Sequence, residues 1–184
     1  MKSYTVAVLV GSLRTGSINR QLAKALEKLM PQGYAFDYIE IGDLPLYNQD
    51  HEADMPAPAT RLKRQVEAAD AVLFVTPEYN RSIPGVLKNA IDWASRPYGK
   101  SSWQNRPSGV VGASPGQIGT ALAQQHLRNI LAAQGSPTLP APEVFLQCPA
   151  GLIEPDGTIT SEATRAFLQG WADRYADWIA RLAS

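Results

Sequence analysis

Apolar and polar positions along the chain fall into two alternating patterns. Short apolar runs without helical spacing predict five strands, at residues 5–10, 35–39, 71–76, 107–113 and 142–146. Apolar residues spaced by three and four predict five helices, at residues 20–30, 61–69, 84–93, 120–134 and 161–182. The first and third runs are apolar at successive positions, which is typical of strands buried on both faces of a sheet.

Strands and helices therefore alternate along the whole chain. This alternation requires parallel strands joined by right-handed crossovers, with helices covering both faces of the sheet. Five strands of this kind most often take the order 2-1-3-4-5, and ligands then bind outside the carboxyl ends of strands one and three. We predict one α/β domain over residues 1–184, folded as a three-layer sandwich around a five-stranded parallel sheet.

The first strand is followed by a turn of small and polar residues at 11–19, and this turn opens a helix. Unpaired N–H groups and the positive end of the helix dipole point at one spot there, which favours a phosphate. Ser12, Ser17 and Asn19 add neutral donors, and Arg14 adds a charged one. The alternative is structural, with Ser17 acting only as a helix cap and Arg14 as a solvated loop charge.

Two further polar turns follow the third and fourth strands, at residues 77–85 and 114–119. Ser82, in the first of them, is the expected cap of the helix that follows. They offer backbone donors and acceptors with little side-chain bulk, together with Tyr79, which suits a flat heteroaromatic ring. The first turn has neither the lysine of a triphosphate-binding loop nor the G-x-G-x-x-G spacing of a dinucleotide fold, so a monophosphate is favoured. Flavin mononucleotide (FMN) combines one phosphate with such a ring.

Composition and charge narrow the class of protein. The 184 residues carry 17 basic and 17 acidic side chains and contain no basic run, so we expect neither a nucleic-acid partner nor a membrane surface. The N-terminus enters the first strand without a signal peptide, and the single Cys148 allows no internal disulfide. With only two histidines and one cysteine, no metal site is expected, and we predict a cytoplasmic protein.

Two motifs carry a family resemblance. The sequences GSLRTGSIN at 11–19 and TPEYNRSIPGVLKNAIDW at 76–93 resemble the NAD(P)H-dependent FMN reductase family, in the branch of the chromate/quinone reductases and azoreductases. The second motif is long and specific, and the order of elements matches over almost the whole chain. The resemblance implies a flavodoxin-like fold, non-covalently bound FMN, and a homodimer or homotetramer.

The resemblance also implies which residues bind the cofactor. The FMN phosphate would be held by five residues of the first turn, Ser12, Arg14, Ser17, Ile18 and Asn19. The isoalloxazine ring would be lined, largely by backbone atoms, by Pro77, Glu78, Tyr79, Asn80 and Ser82. The other edge of the ring and the ribityl chain would be bordered by Ser114 and Gly116.

The implied reaction has two half-reactions at one flavin. NADPH or NADH delivers a hydride, and a quinone, azo compound, chromate or free flavin then takes the electrons. The chemistry belongs to the cofactor, so no residue is assigned as catalytic. The alternative function is a flavodoxin-type electron carrier without its own NAD(P)H oxidation, although carriers of that kind tend to be strongly acidic and this chain is charge-balanced.

Several single residues leave two interpretations open. Glu78 is interpreted as a hydrogen-bonding loop residue rather than a general acid, and Arg81 either attracts anions or is simply exposed. Trp93 and Trp103 suit either the core or a subunit contact, and Cys148 is interpreted as structural.

Two other classes of protein that have a functional group at the end of the first or third strand of such a sheet fit this sequence poorly. A low-molecular-weight phosphatase needs a cysteine in the first turn, and residues 11–19 contain none. A receiver domain needs an aspartate at the end of strand three, where the chain has Thr76 and Pro77.

Overall fold

A computed structural model describes residues 2–183, and within them five strands form one parallel sheet in the order β2-β1-β3-β4-β5. The strands are β1 (Tyr4–Val10), β2 (Tyr34–Tyr38), β3 (Ala71–Val75), β4 (Ser108–Ser114) and β5 (Val144–Gln147). The helices are α1 (Ile18–Leu29), α2 (Ala57–Ala68), α3 (Gly85–Ala94), α4 (Ala121–Ala133) and α5 (Glu162–Leu182). The predicted fold class and strand order are confirmed.

Helices cover both faces of the sheet, which gives the predicted three layers. Along β1, Val6, Val8 and Val10 face a core formed with α1 and α5, whereas Ala7 and Leu9 face a core formed with α2, α3 and α4. Because successive side chains of a strand point to opposite faces, a central parallel strand has to be apolar throughout. The sequence of β1 meets this requirement at both faces.

Two helix starts differ from the predictions. Helix α2 begins at Ala57 rather than at residue 61, because Pro56 and Pro58 lie at its N-terminus, where a missing N–H costs nothing. The cap predicted at Ser82 is wrong. Helix α3 is preceded by Pro84, which makes no side-chain cap, and Ser82 instead pairs with Tyr79 through the backbone.

Two tryptophans lie in the core. The sequence left open whether they belong to the core or to a contact between subunits. Trp93 and Trp103 are fully buried, and their indole N–H groups donate to the carbonyls of Pro45 at 2.8 Å and Ile91 at 3.0 Å. The long 42–56 connection lies along α3, since Asn89 donates to the Pro45 carbonyl at 2.9 Å. This connection is therefore fixed to α3 by partly buried hydrogen bonds.

Strand β4 has glycines where other elements approach closely. A Cβ at Gly109 would lie 2.9 Å from the Tyr175 ring and 3.0 Å from that of Trp171. A Cβ at Gly112 would collide with the Thr120 hydroxyl and with the Thr76 carbonyl. The end of β4 is thus packed directly against the segment that leads into α4.

This packing predicts that Gly112→Ala destabilises the protein by at least about 2 kcal/mol, because the added methyl group overpacks a site bounded by backbone. The free energy of unfolding, measured in urea, tests the prediction. Gly170→Ala is the matched control: it lies in α5 with open space around a Cβ, so we expect it to stabilise the protein by up to about 1 kcal/mol. Equal stability of the two variants would contradict the packing argument.

Candidate active site

Three loops meet at the carboxyl edge of the sheet: the β1 loop (11–17), the β3 loop (76–84) and the β4 loop (115–120). Gly11 lies against the β3 loop, since a Cβ there would be 3.1 Å from Pro77 and 3.3 Å from Pro84. The β3 loop in turn contacts the β4 segment at Gly112 and Thr120. The structure therefore brings the three predicted polar turns together in one crevice.

The β1 loop ends in a helix cap that leaves donors free. The Ser17 N–H donates to the Arg14 carbonyl at 3.2 Å, in a turn whose third residue, Gly16, has the positive φ of 70° that a type II turn requires. The Ser17 oxygen accepts from the Arg20 N–H at 3.3 Å, so its hydroxyl proton stays available to an anion. The capping interpretation of Ser17 is confirmed, and it is compatible with anion binding.

Four other predicted residues of the phosphate site lie in this turn or at the start of α1. Ser12 is buried, and the Arg14 side chain is on the exposed outer part of the loop. Ile18 and Asn19 begin α1, so their N–H groups belong to the first helical turn, which has no partners within the helix. Backbone donors, a hydroxyl and a guanidinium are therefore available at one helix N-terminus.

The side chain of Asn19 has a role that the sequence did not reveal. It is 2% exposed, donates to the Ala113 carbonyl at 2.9 Å and accepts from the Ala113 N–H at 3.0 Å. This amide therefore ties the start of α1 to the end of β4. One hydrogen of the amide that the sequence predicted for a phosphate is used by the fold. Its second hydrogen and the backbone N–H of Asn19 make no such contact, so Asn19 as a phosphate ligand stays a prediction.

The β3 loop contains a tight reversal of the backbone. Tyr79 and Ser82 each donate a backbone N–H to the other's carbonyl at 3.0 Å. Between them, Asn80 and Arg81 have positive φ values of 51° and 66°, as in a type I′ turn. Asparagine tolerates this conformation, whereas arginine does so at a cost. The reversal leaves the Tyr79 ring and the Arg81 guanidinium exposed at the rim of the crevice.

Glu78 caps a helix that belongs to another part of the chain. Its carboxylate is 12% exposed and accepts from the Leu122 N–H at 3.0 Å and the Ala123 N–H at 3.2 Å. Thr120, at the N-cap of α4, has a φ of 71° and makes no side-chain cap. A carboxylate at a helix N-terminus is favourable, so Glu78 replaces the local cap. The hydrogen-bonding interpretation of Glu78 is confirmed.

The β4 loop is shaped by its own hydrogen bonds and by a close contact. The Ser114 hydroxyl donates to the Gly116 carbonyl at 3.0 Å. Gly119 has a positive φ of 58°, and a Cβ there would collide with the backbone of Phe145. Ser114 and Gly116 thus lie at the crevice as predicted, with the Ser114 hydroxyl already engaged.

Two residues outside the three loops, His126 and Cys148, take part in the packing of the protein. His126 of α4 contacts the Ser82 hydroxyl at 3.0 Å, which joins α4 to the β3 loop. Burial raises the pKa of the Cys148 thiol, so it stays protonated and unreactive near neutral pH, consistent with a structural role. Across residues 2–183, no helix is long and apolar enough to cross a membrane, and no cluster of three or more metal-ligating side chains is found.

Comparison with known proteins first defines the class. A flavodoxin, WrbA-like protein from Agrobacterium tumefaciens, 20% identical, superposes with a TM-score of 0.60 over 98% of this chain and 99% of its own. The fold is therefore flavodoxin-like. A model of the family described as NADPH-dependent FMN reductase matches residues 4–149, and the chain belongs to that family.

More similar proteins agree with this assignment. A 2-hydroxy-1,4-benzoquinone reductase from Burkholderia sp is 50% identical over 174 residues, which is 95% of each chain. The flavoenzyme NAD(P)H:(acceptor) oxidoreductase from Paracoccus denitrificans is 51% identical, with a TM-score of 0.93 over 97% of this chain and 98% of its own. This chain is accordingly an enzyme of the NADPH-dependent FMN reductase family rather than an electron carrier.

The cap on α4 predicts the effect of changing Glu78. Glu78→Ala removes the acceptor for two N–H groups and should lower the free energy of unfolding by about 1–2 kcal/mol. Glu78→Gln keeps an oxygen acceptor without the charge and should lose less than the alanine variant. Denaturant unfolding monitored by circular dichroism measures both values. An alanine variant as stable as the wild type would show that the carboxylate does not cap α4.

Proposed function

We propose that this chain is an FMN-dependent NAD(P)H oxidoreductase that reduces quinones. The observation that supports the proposal is the helix N-terminus after β1, with its free donors, beside the β3 loop at the point where the strand order reverses. Family membership supports the cofactor and the hydride donor. The relatives' names, which include a benzoquinone reductase, support the acceptor class.

The residues of the β1 loop and the start of α1 fit a single phosphate. We assign its ligands to the side chains of Ser12, Arg14 and Ser17 and to the backbone N–H groups of Ile18 and Asn19. The positive end of the α1 dipole favours the same charge. With Gly16 at a positive φ, the backbone can turn closely around the anion.

The isoalloxazine ring would then lie across the β3 and β4 loops. Its proposed lining is Pro77, Glu78, Tyr79, Asn80 and Ser82, with Ser114 and Gly116 at the other edge. The carboxylate of Glu78 is committed to α4, and the Ser82 hydroxyl contacts His126. These two side chains therefore hold the loop in shape, and the ring contacts fall to backbone atoms and to the Tyr79 ring.

When bound, FMN accepts a hydride from NADPH or NADH and passes the electrons to an acceptor. The protein positions the ring and leaves the rim at Tyr79 and Arg81 open to solvent. The Arg81 guanidinium attracts anionic donors or acceptors to this rim. No side chain is assigned as an acid, a base or a nucleophile. Chromate, azo compounds and free flavin remain predicted acceptors, and the cytoplasm remains the predicted location.

The oligomeric state is a further part of the proposal. Four apolar side chains around the crevice are exposed in the single chain: Leu13, Ile118, Leu122 and Phe145. Exposed apolar groups beside a ligand site suit a contact between subunits. We expect a homodimer or homotetramer, which sedimentation velocity would detect as a mass at least twice that of one chain. A monomeric species at micromolar concentration would contradict this expectation.

Flavin binding and turnover test the function together. The wild-type holoenzyme should oxidise NADPH or NADH when benzoquinone is present, without a second protein. Arg14→Ala should weaken FMN binding about tenfold or more, because a charge-assisted contact is worth about 1.5–3 kcal/mol. Arg14→Lys, which keeps the charge but not the planar fork, is the matched control and should lose less affinity.

Titration of the apoprotein with FMN, followed by quenching of flavin fluorescence, gives the dissociation constants. Arg14→Ala binding as tight as the wild type would remove Arg14 from the phosphate site. Failure of the wild type to bind FMN would overturn the whole proposal.

A further inference from the structure

The end of β4 has a bonding partner that does not belong to the sheet. The ladder between β3 and β4 pairs Val75 with Val111, and the Thr76 N–H then donates to the Val111 carbonyl at 2.9 Å. Backbone groups two residues apart on a strand point the same way, so the N–H and the carbonyl of Ala113 face the same side. In a continued ladder both groups would bond the chain that runs on from β3, but β3 ends at Val75 and both bond a side chain of α1 instead.

That side chain is the carboxamide of Asn19, which takes the place of a strand. It donates to the Ala113 carbonyl at 2.9 Å and accepts from the Ala113 N–H at 3.0 Å. Both residues are buried, so neither backbone group has access to bulk water if the amide is removed. Leu22 and Leu26 also pack α1 into this core, but apolar contact has no direction. The paired hydrogen bonds therefore fix where along β4 the first turn of α1 lies.

Asn19 stands between the two halves of the proposed flavin site. Its backbone N–H belongs to the first turn of α1, to which the phosphate is assigned. The residue that its side chain bonds, Ala113, directly precedes Ser114, whose hydroxyl donates to the Gly116 carbonyl at 3.0 Å. Ser114 and Gly116 are the proposed border of the ring. One side chain thus joins the phosphate half of the site to the ring half.

The distance between these halves matters because FMN has to reach both. A ligand with two binding groups gains affinity from both only when the protein holds the two subsites at the distance that the ligand spans. Loss of the amide pair would let the start of α1 shift along β4, while the donors of the phosphate turn and the backbone of the β3 loop stay as they are. Each half of the site would then keep its chemistry, and only their spacing would change.

We propose that Asn19 is a positioning residue of the flavin site, whose carboxamide sets the spacing between the start of α1 and the β4 loop so that both halves of FMN are bound at once. The inference rests on the proposed function, since it concerns the cofactor of that reaction. It assigns the side chain of Asn19 to the spacing of the site and not to a contact with the phosphate.

Asn19→Ala tests the inference with three ligands of the apoprotein. FMN and riboflavin, which lacks the phosphate, are titrated by quenching of flavin fluorescence. Inorganic phosphate is measured by its competition with FMN at constant ionic strength. We expect the Kd for FMN to rise about tenfold, because the two halves no longer bind together. The Kd values for riboflavin and for inorganic phosphate, each of which fills one half, should change less than about twofold.

Two further variants support this comparison. Asn19→Ser leaves room for a water molecule to bond the freed backbone groups, so it folds even if the alanine variant does not, and it should give the same pattern. Asn89→Ala is the matched control, because the Asn89 amide makes the same pair of contacts elsewhere: it accepts from the Tyr47 N–H at 2.8 Å and donates to the Pro45 carbonyl at 2.9 Å. The control should lower the free energy of unfolding in urea, while the ratio of the riboflavin and FMN Kd values stays that of the wild type.

The outcomes separate the alternatives. An equal rise of Kd for FMN and inorganic phosphate would make the Asn19 side chain a direct phosphate ligand, and an equal rise for FMN and riboflavin would show a general loss of structure. An unchanged Kd for FMN would show that the spacing is set elsewhere. Each of these results overturns the inference. A wild type that binds FMN no more tightly than riboflavin would instead contradict the proposed function, so the two failures are distinguishable.

Discussion

The crevice bordered by the three polar loops depends on the reversal of strand order between β1 and β3. The two strands are paired up to Gly11, whose N–H donates to the Val75 carbonyl at 2.9 Å. Beyond that point the chains separate, because β1 leads to α1 on one face of the sheet and β3 leads to α3 on the other. No hydrogen bonding within the sheet can close the space that opens between them. The three polar loops border this space.

Much of the fold was predictable because the strongest signals were local. The runs that became β1 and β3 are apolar at successive positions, and the structure buries them on both faces. The misjudged helix starts lie at prolines. Pro56 and Pro58 were interpreted as loop residues, although the first helical turn accepts a proline. Ser82 was interpreted as a cap because nothing local distinguishes a cap from a hairpin position.

The meeting of the three polar loops was predictable from the sequence, whereas the hydrogen bonds between distant parts of the chain were not. Asn19 and Ala113 are 94 residues apart, and Glu78 and Leu122 are 44 residues apart. Spacing along the chain carries no information about such pairs, since each forms only after the sheet has brought its partners together. Thr120 would ordinarily be interpreted as a helix cap, but its backbone is left-handed and its hydroxyl packs against Gly112.

The cap that α4 takes from Glu78 has a consequence for how this family can diversify. The helix and the β3 loop share two hydrogen bonds through Glu78, so an insertion in the β4 loop would pull α4 away from the carboxylate that caps it. The connection at 42–56 is hydrogen-bonded to α3 at Asn89, and at Gly42 it meets the β1 loop only through the Leu13 side chain. Length variation among related chains should therefore be tolerated in that connection, while the β4 loop keeps a constant length.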